Sequence, residues 1–73
     1  RIIATVASTI LDIERAFSIG WIDNRGIKES LVGKVKYGLW NSLLSELNAQ
    51  RRKHINEQAY QLLNEDIQWL LNN

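Results

Sequence analysis

The stretch "GWIDNRGIKESLVGKVKYGLWNSLL" (residues 20–44) decides how this chain folds, because its apolar stripe changes face partway along. The first stripe, at helical spacing, comprises Ile27, Leu31, Val35 and Leu39. The second comprises Trp40, Leu43, Leu44 and Leu47, on a face rotated by about 120° if each residue turns about 100°. Gly38 lies between the stripes and costs about 1 kcal/mol relative to alanine inside a helix. The stretch therefore predicts either two helices that meet near Gly38 or one helix that bends there.

Helical periodicity continues on both sides of this stretch and predicts an all-α fold, a small up-and-down bundle of three to four helices in one domain. The helices are expected at about residues 2–19, 23–38, 40–52 and 56–71, the third being separate from the second or continuous with it. Gly20 is placed to end the first helix in the left-handed conformation. Asp23 and Asn56 are expected to cap the second and the last helix.

Composition limits the classes of function that this chain is expected to have. The 73 residues form at most one small domain, and 45% of them are hydrophobic. The 9 basic and 8 acidic residues leave a net charge of +1, so we expect no nucleic acid partner and no membrane insertion. Cysteine is absent, which excludes disulfides and thiolate metal sites. Because the chain begins at Arg1 and lacks methionine, we read it as a segment of a longer protein.

The sequence predicts no catalytic residues, no cofactor and no metal, and hence no enzyme. His54 is its one histidine, too few nitrogen ligands for a typical metal site within one chain. Glu65 and Asp66 are adjacent, and neighbouring positions on a helix diverge by about 100°, so they do not face each other as a general acid and base would.

Five residues form the predicted interaction surface: Trp21, Tyr37, Arg51, Arg52 and Lys53. The aromatic side chains would stack on a sugar ring or anchor a partner protein, and the basic run would contact phosphate or an acidic partner. A structural role is the favoured reading for Trp21 and for the basic run. Trp21 would then wedge between helices, and the basic run would complement the negative end of a helix dipole.

Two ordered sets of residues resemble FIMAH domains, which are small helical modules of secreted, multidomain bacterial proteins. The first set comprises Gly20, Ile22, Gly26-Ile27, Ser30-Leu31 and Lys34. The second comprises Asn48-Ala49-Gln50, the basic turn of residues 51–54, Ile55, Ala59, Leu63 and Asp66. The resemblance covers most of the chain from about Ile10 onward.

This resemblance implies a non-catalytic accessory module, structural or interacting, of a secreted or cell-surface bacterial protein that often carries hydrolase domains. Its partners would be neighbouring domains of the same polypeptide, or a protein or glycan at the cell surface. A carbohydrate-binding module that uses Trp21 or Tyr37 ranks second. A small nucleic-acid-binding domain that uses Arg51, Arg52 and Lys53 ranks third.

One departure from the family concerns the junction between Leu39 and Trp40. Members usually carry a further helical hairpin at this point, and this sequence runs straight on. If that junction is real, we expect the second and third helices to join into one long bent rod. Such a rod would find its missing partner in a second copy, giving a homodimer by domain swapping.

Overall fold

The computed structural model describes residues 4–72, which form four α-helices and no β-structure beyond two isolated bridges. The helices are α1 (Val6–Ser18), α2 (Arg25–Lys36), α3 (Trp40–Gln50) and α4 (Glu57–Asn72). Each helix packs against the next, and α4 packs back against α1. The predicted all-α bundle is confirmed in its four-helix form. Ile2 and Ile3 of the predicted first helix lie outside the described residues.

The apolar stripes predicted from the sequence meet in one core. The second stripe of the junction contributes Leu43 and Leu47, which are buried beside Leu31 and Val35 of the first. The buried core comprises Ile13, Ala16, Ile22, Leu31, Val32, Val35, Leu43, Leu47, Ile55, Ala59, Leu63 and Ile67. A change of face between α2 and α3 is therefore what allows both helices to bury their stripes in the same place.

The helix starts follow local capping chemistry, with one difference from the prediction. Asn56 caps α4 as expected, its side-chain oxygen accepting a backbone N–H from the first turn at 2.9 Å. The cap of α2 is Asn24, whose Oδ1 accepts from the Ile27 N–H at 3.0 Å. The prediction of Asp23 was wrong, because its carboxylate faces the His54 ring and the next residue, Asn24, occupies the capping position.

The junction at Gly38 is a tight turn, so the predicted long rod does not form. α2 ends at Lys36, and Gly38 adopts a φ of +67°. The Leu39 N–H donates to the Lys34 carbonyl at 2.9 Å, and the Gly38 N–H donates to Val35 at 3.2 Å. This pair of bonds is a Schellman ending, which satisfies carbonyls that the next turn of a helix would otherwise have used.

Closure of the bundle within one chain therefore needs only the three residues between α2 and α3. No further hairpin is required at this point for α2 to pack against α3. The rod that motivated a domain-swapped dimer was the wrong expectation. α1 ends in the same way as α2, and Gly20 has the predicted left-handed φ, at +87°.

α3 ends earlier than predicted, at Gln50 rather than at Arg52. Arg51 leaves the helix with φ −56° and ψ 128°, and Arg52 follows with φ +67°. The Lys53 N–H donates to the Gln50 carbonyl at 2.9 Å, which closes a turn of type II geometry.

The first and last connections pair with each other across the bundle. The Asp23 N–H donates to the His54 carbonyl at 3.0 Å, and the Asn56 N–H donates to the Trp21 carbonyl at 2.9 Å. Ile22 and Ile55 form an antiparallel bridge between these bonds and are both fully buried. Both connections thus lie at one end of the bundle, and the Gly38 turn lies at the other.

Candidate functional site

Trp21 occupies the space between the end of α1 and the start of α4. Its backbone N–H donates to the Ala16 carbonyl at 2.9 Å, which is the second hydrogen bond of the Schellman ending at Gly20, and its backbone carbonyl accepts from the Asn56 backbone N–H. The indole is half-buried and packs against the core on one side. Its other side borders two adjoining open depressions in the surface.

The larger depression has a volume of about 550 Å³ and follows the outer face of α4. Its lining residues are Trp21, Glu57, Gln58, Gln61, Leu62 and Glu65. The α4 members recur at spacings of three and four, so they share one side of that helix. Trp21 reaches over this side from the neighbouring connection.

The smaller depression, of about 370 Å³, lies between α1 and α4. Its lining residues are Asp12, Arg15, Ala16, Ile19, Trp21 and Leu62. Trp21 and Leu62 belong to both depressions and form an apolar ridge between them. We call the combined surface, defined by the lining residues of the two depressions, the Trp21 groove.

Three polar side chains of the Trp21 groove have no partner within the part of the chain that the structure describes. Gln58, Gln61 and Glu65 are exposed, and no hydrogen bond or ion pair to residues 4–72 occupies their side chains. Their amide and carboxylate groups therefore offer both donors and acceptors to a ligand. Arg15, also exposed, brings a cation to the α1 side of the groove.

The guanidinium of Arg51 is bound by other side chains of this protein. It donates two hydrogen bonds to Glu57, at 2.7 Å and 2.9 Å, and lies 4.0 Å above the Tyr60 ring. The hydrogen bond from Arg51 lowers the pKa of Glu57 to about 2. Arg52 adds a longer contact to the same carboxylate, at 3.3 Å. Both arginines therefore serve first to bind the last connection to α4.

The predicted basic run is thus partly engaged within the fold, with two arginines sharing the single carboxylate of Glu57. Besides Arg51 and Arg52, His54 is engaged, with its Nδ1 lying 2.7 Å from Asp23 Oδ1. Lys53 is exposed and forms no ion pair within the described residues. A polyanion would accordingly have to compete with Glu57 for two of these cations.

Tyr37 lies at the other end of the bundle from the remaining predicted residues. It belongs to the Gly38 turn, and 79% of its surface is exposed, with Leu39 beside it at 50%. The 12 residues of α2, about 18 Å in length, separate this turn from the connection that carries Trp21. The predicted interaction surface is therefore split into two separate regions.

Ser30 and Lys34 have a structural role between α2 and α3. Ser30 Oγ donates to Glu46 Oε1 at 2.8 Å, and Lys34 Nζ donates to the same oxygen at 2.9 Å and to Ser30 Oγ at 2.8 Å. A serine beside a lysine also occurs in nucleophilic catalysis, where the amine accepts the hydroxyl proton. Here both groups donate to Glu46, so the three form a polar clasp between α2 and α3.

The α4 residues of the Trp21 groove were missed at the level of sequence. Glu65 and Asp66 were recognised only as a pair that diverges, and the structure confirms this, with Glu65 exposed and Asp66 buried. The available signal was the position of Gln58, Gln61 and Glu65 on one polar side of α4. Such a side is usually only solvated, and nothing local shows that Trp21 reaches it.

Comparison with known proteins leaves the classification open, because no family model, no curated protein and no solved structure matches the chain. Within residues 4–72, no helix has the length and apolar character needed to cross a membrane. Nowhere in the same residues do three or more His, Cys, Asp or Glu side chains lie together in a group that could bind a metal ion.

Proposed function

We propose that this chain is a non-catalytic accessory module of a secreted or cell-surface multidomain bacterial protein, and that it binds its partner through the Trp21 groove. The resemblance to FIMAH domains supports the setting. The observation that carries the binding role is the groove itself. An apolar ridge of Trp21 and Leu62 lies beside three exposed polar side chains that the rest of the described chain does not use.

The shape of the groove agrees with binding better than with catalysis. Its larger depression is open, whereas an active site typically encloses its substrate and brings titratable groups together at the reacting atoms. Glu57, one of its carboxylates, is already bound by Arg51 and Arg52. Glu65 lies on a different side of α4 from the buried Asp66.

The nucleic-acid alternative receives less support from the geometry. Non-specific binding to nucleic acid depends on several free cations arranged along one surface. Arg51 is held by Glu57, Arg52 makes only a 3.3 Å contact with the same carboxylate, and Lys53 has no ion pair among the described residues.

The setting is tested by locating the natural protein. Antibodies to this chain should detect it in the culture medium, or on intact cells in a form that added protease removes. Detection only after cell lysis, with no decrease on treatment with external protease, would contradict the proposed location.

The binding role is tested with a matched pair of variants on α4. Gln61→Arg places a bulky cation in the groove, and Gln68→Arg makes the same change at another exposed glutamine seven residues further along, outside it. The labelled chain should bind washed cell envelopes of the source bacterium, and only Gln61→Arg should abolish binding. Tyr37→Ala, at the other end, should leave binding intact. Equal binding by both glutamine variants would exclude the groove.

A further inference from the structure

We infer that the ligand of the Trp21 groove is a neutral glycan, with one pyranose ring lying against Trp21. This inference rests on the proposed binding role of the groove and adds the chemical class of the ligand. A β-linked pyranose presents C–H groups on its faces and hydroxyl groups around its edge. It therefore requires an apolar wall with donors and acceptors beside it, and the groove provides that combination.

The apolar wall is the ridge of Trp21 and Leu62. An indole ring offers a large, rigid apolar surface that loses little conformational freedom on binding. The Trp21 backbone is fixed by hydrogen bonds with Ala16 and Asn56, and the indole packs against the core. A sugar ring placed on the ridge would thus meet a surface that is already ordered, which lowers the entropic cost of binding.

The polar groups beside the ridge match hydroxyl groups. Gln58 and Gln61 each carry an amide that both donates and accepts, and Glu65 accepts. All three are available, since no described residue engages their side chains. Because a sugar hydroxyl also both donates and accepts, it can pair with any of them.

The charges around the groove favour a neutral ligand. Glu57 is paired with Arg51 and Arg52, and the exposed charges that remain among the lining residues are one carboxylate, Glu65, and one cation, Arg15. An anionic glycan would therefore meet the Glu65 carboxylate without a surplus of cations to offset it. A basic peptide would find Glu57 already occupied by two arginines, and would meet Arg15 on the other side.

The form of the groove suggests a chain rather than a single free sugar. The two depressions adjoin at Trp21, and together they continue from the outer face of α4 to the space between α1 and α4. An oligosaccharide would place one ring on the ridge and further rings in the depressions on either side.

The test is an NMR titration of the isotope-labelled chain with cellohexaose and with chitohexaose. The three tryptophans give three indole N–H signals, which conservative phenylalanine variants assign. We expect the Trp21 indole signal and the side-chain amides of Gln58 and Gln61 to shift, while Trp40 stays still. Gln61→Ala should weaken binding about fivefold, the decrease expected for one or two hydrogen bonds. Gln68→Ala should bind like the unmodified chain.

Several results would overturn the inference. These are the absence of shifts at Trp21 with either neutral oligosaccharide, equal affinity of Gln61→Ala and the unmodified chain, and binding of polygalacturonate as tight as that of cellohexaose. Envelope binding separates this failure from failure of the binding role. If Gln61→Arg blocks envelope binding but neither oligosaccharide shifts the Trp21 signal, only the glycan assignment fails. If no envelope binding occurs, both proposals fail.

Discussion

The guanidinium of Arg51 contacts both carboxylate oxygens of Glu57, at 2.7 Å and 2.9 Å, and joins the last connection to the first turn of α4. A charge-assisted pair of this kind is stronger and more directional than a single hydrogen bond. Through this pair, Arg51 lowers the pKa of Glu57 from its ordinary value of 4.5 to about 2. The two residues thereby make the stability of the bundle depend on pH.

The first prediction concerns acid unfolding. Because the pKa of Glu57 is lower in the folded state, its ionised form stabilises the fold fully above pH 4.5 and loses that effect as the pH falls toward 2. Glu57→Gln removes this dependence. Thermal melts from pH 6 to pH 2 should therefore show a Tm gap between the two proteins that narrows below about pH 4.5.

A difference between the two proteins that stays constant over that pH range would contradict the role assigned to Arg51 and Glu57. The comparison of two proteins is needed because the pKa of Glu29 is also lowered, by its hydrogen bond with Lys28. That contribution is present in both proteins and cancels in the difference.

The second prediction distinguishes the Gly38 turn from a continuous helix. At a φ of +67°, a side chain is strained, so Gly38→Ala should lower the free energy of unfolding by about 1–2 kcal/mol. Gly33, inside α2, has open space where a Cβ would be added. Gly33→Ala should therefore raise the free energy of unfolding by about 0.5–1 kcal/mol. Denaturant titrations measure both changes.

The signs of the two changes in unfolding free energy distinguish a turn at Gly38 from a continuous helix. If α2 and α3 formed one rod, Gly38 would be an interior helical position, and both substitutions would stabilise the protein. Stabilisation of the protein by Gly38→Ala would thus contradict the left-handed turn at Gly38.

The third prediction concerns Arg52, the one non-glycine residue with positive φ among residues 4–72. Glycine suits the second central position of this turn, so Arg52→Gly should raise the free energy of unfolding by about 0.5 kcal/mol after the entropy of the unfolded glycine is counted. The ion pair between Arg52 and Glu57, which this substitution removes, is exposed on the arginine side and contributes little. Lys53→Gly, at the next residue and without positive φ, should destabilise. Equal effects of the two variants would contradict this assignment.

The fourth prediction concerns the clasp between α2 and α3. Lys34 and Glu46 are only 26% and 19% exposed, so the removal of one partner leaves the other poorly solvated. Lys34→Met should cost about 1–2 kcal/mol of unfolding free energy, which chemical denaturation would measure. Lys36→Met, an exposed lysine on the same helix, should cost little. A double-mutant cycle with Glu46→Gln should recover about 1 kcal/mol as coupling, and a coupling near zero would remove the clasp as a stabilising element.

Most of the fold was predictable because its signals are local. Apolar stripes at helical spacing were sufficient to predict three to four helices, and Gly20 and Asn56 ended and began helices where their backbone preferences place them. The change of stripe at Gly38 was read correctly as a change of face. It did not decide between a bend and a turn, because a helix that is rotated and a helix that is reversed display the same pattern of apolar residues.

The errors concern interactions between residues that are distant in sequence. Asp23 was assigned to a cap, but its partner is His54, 31 positions away. Arg51 and Arg52 were grouped as a basic patch, but their charges are used by Glu57, which follows after a turn. The groove was missed for the same reason, since it exists only where one connection brings Trp21 over the outer side of α4.

The pairing of Ile22 with Ile55 has a mechanical consequence. Since the end of α1 and the start of α4 lie together there, the start of α1 and the end of α4 lie together at the opposite end. A pulling force applied at the start of α1 and the end of α4 would separate the two helices one turn at a time rather than slide them past each other. The bundle should consequently open under low force, and the Ile22–Ile55 pair would be the last part of the α1–α4 contact to break.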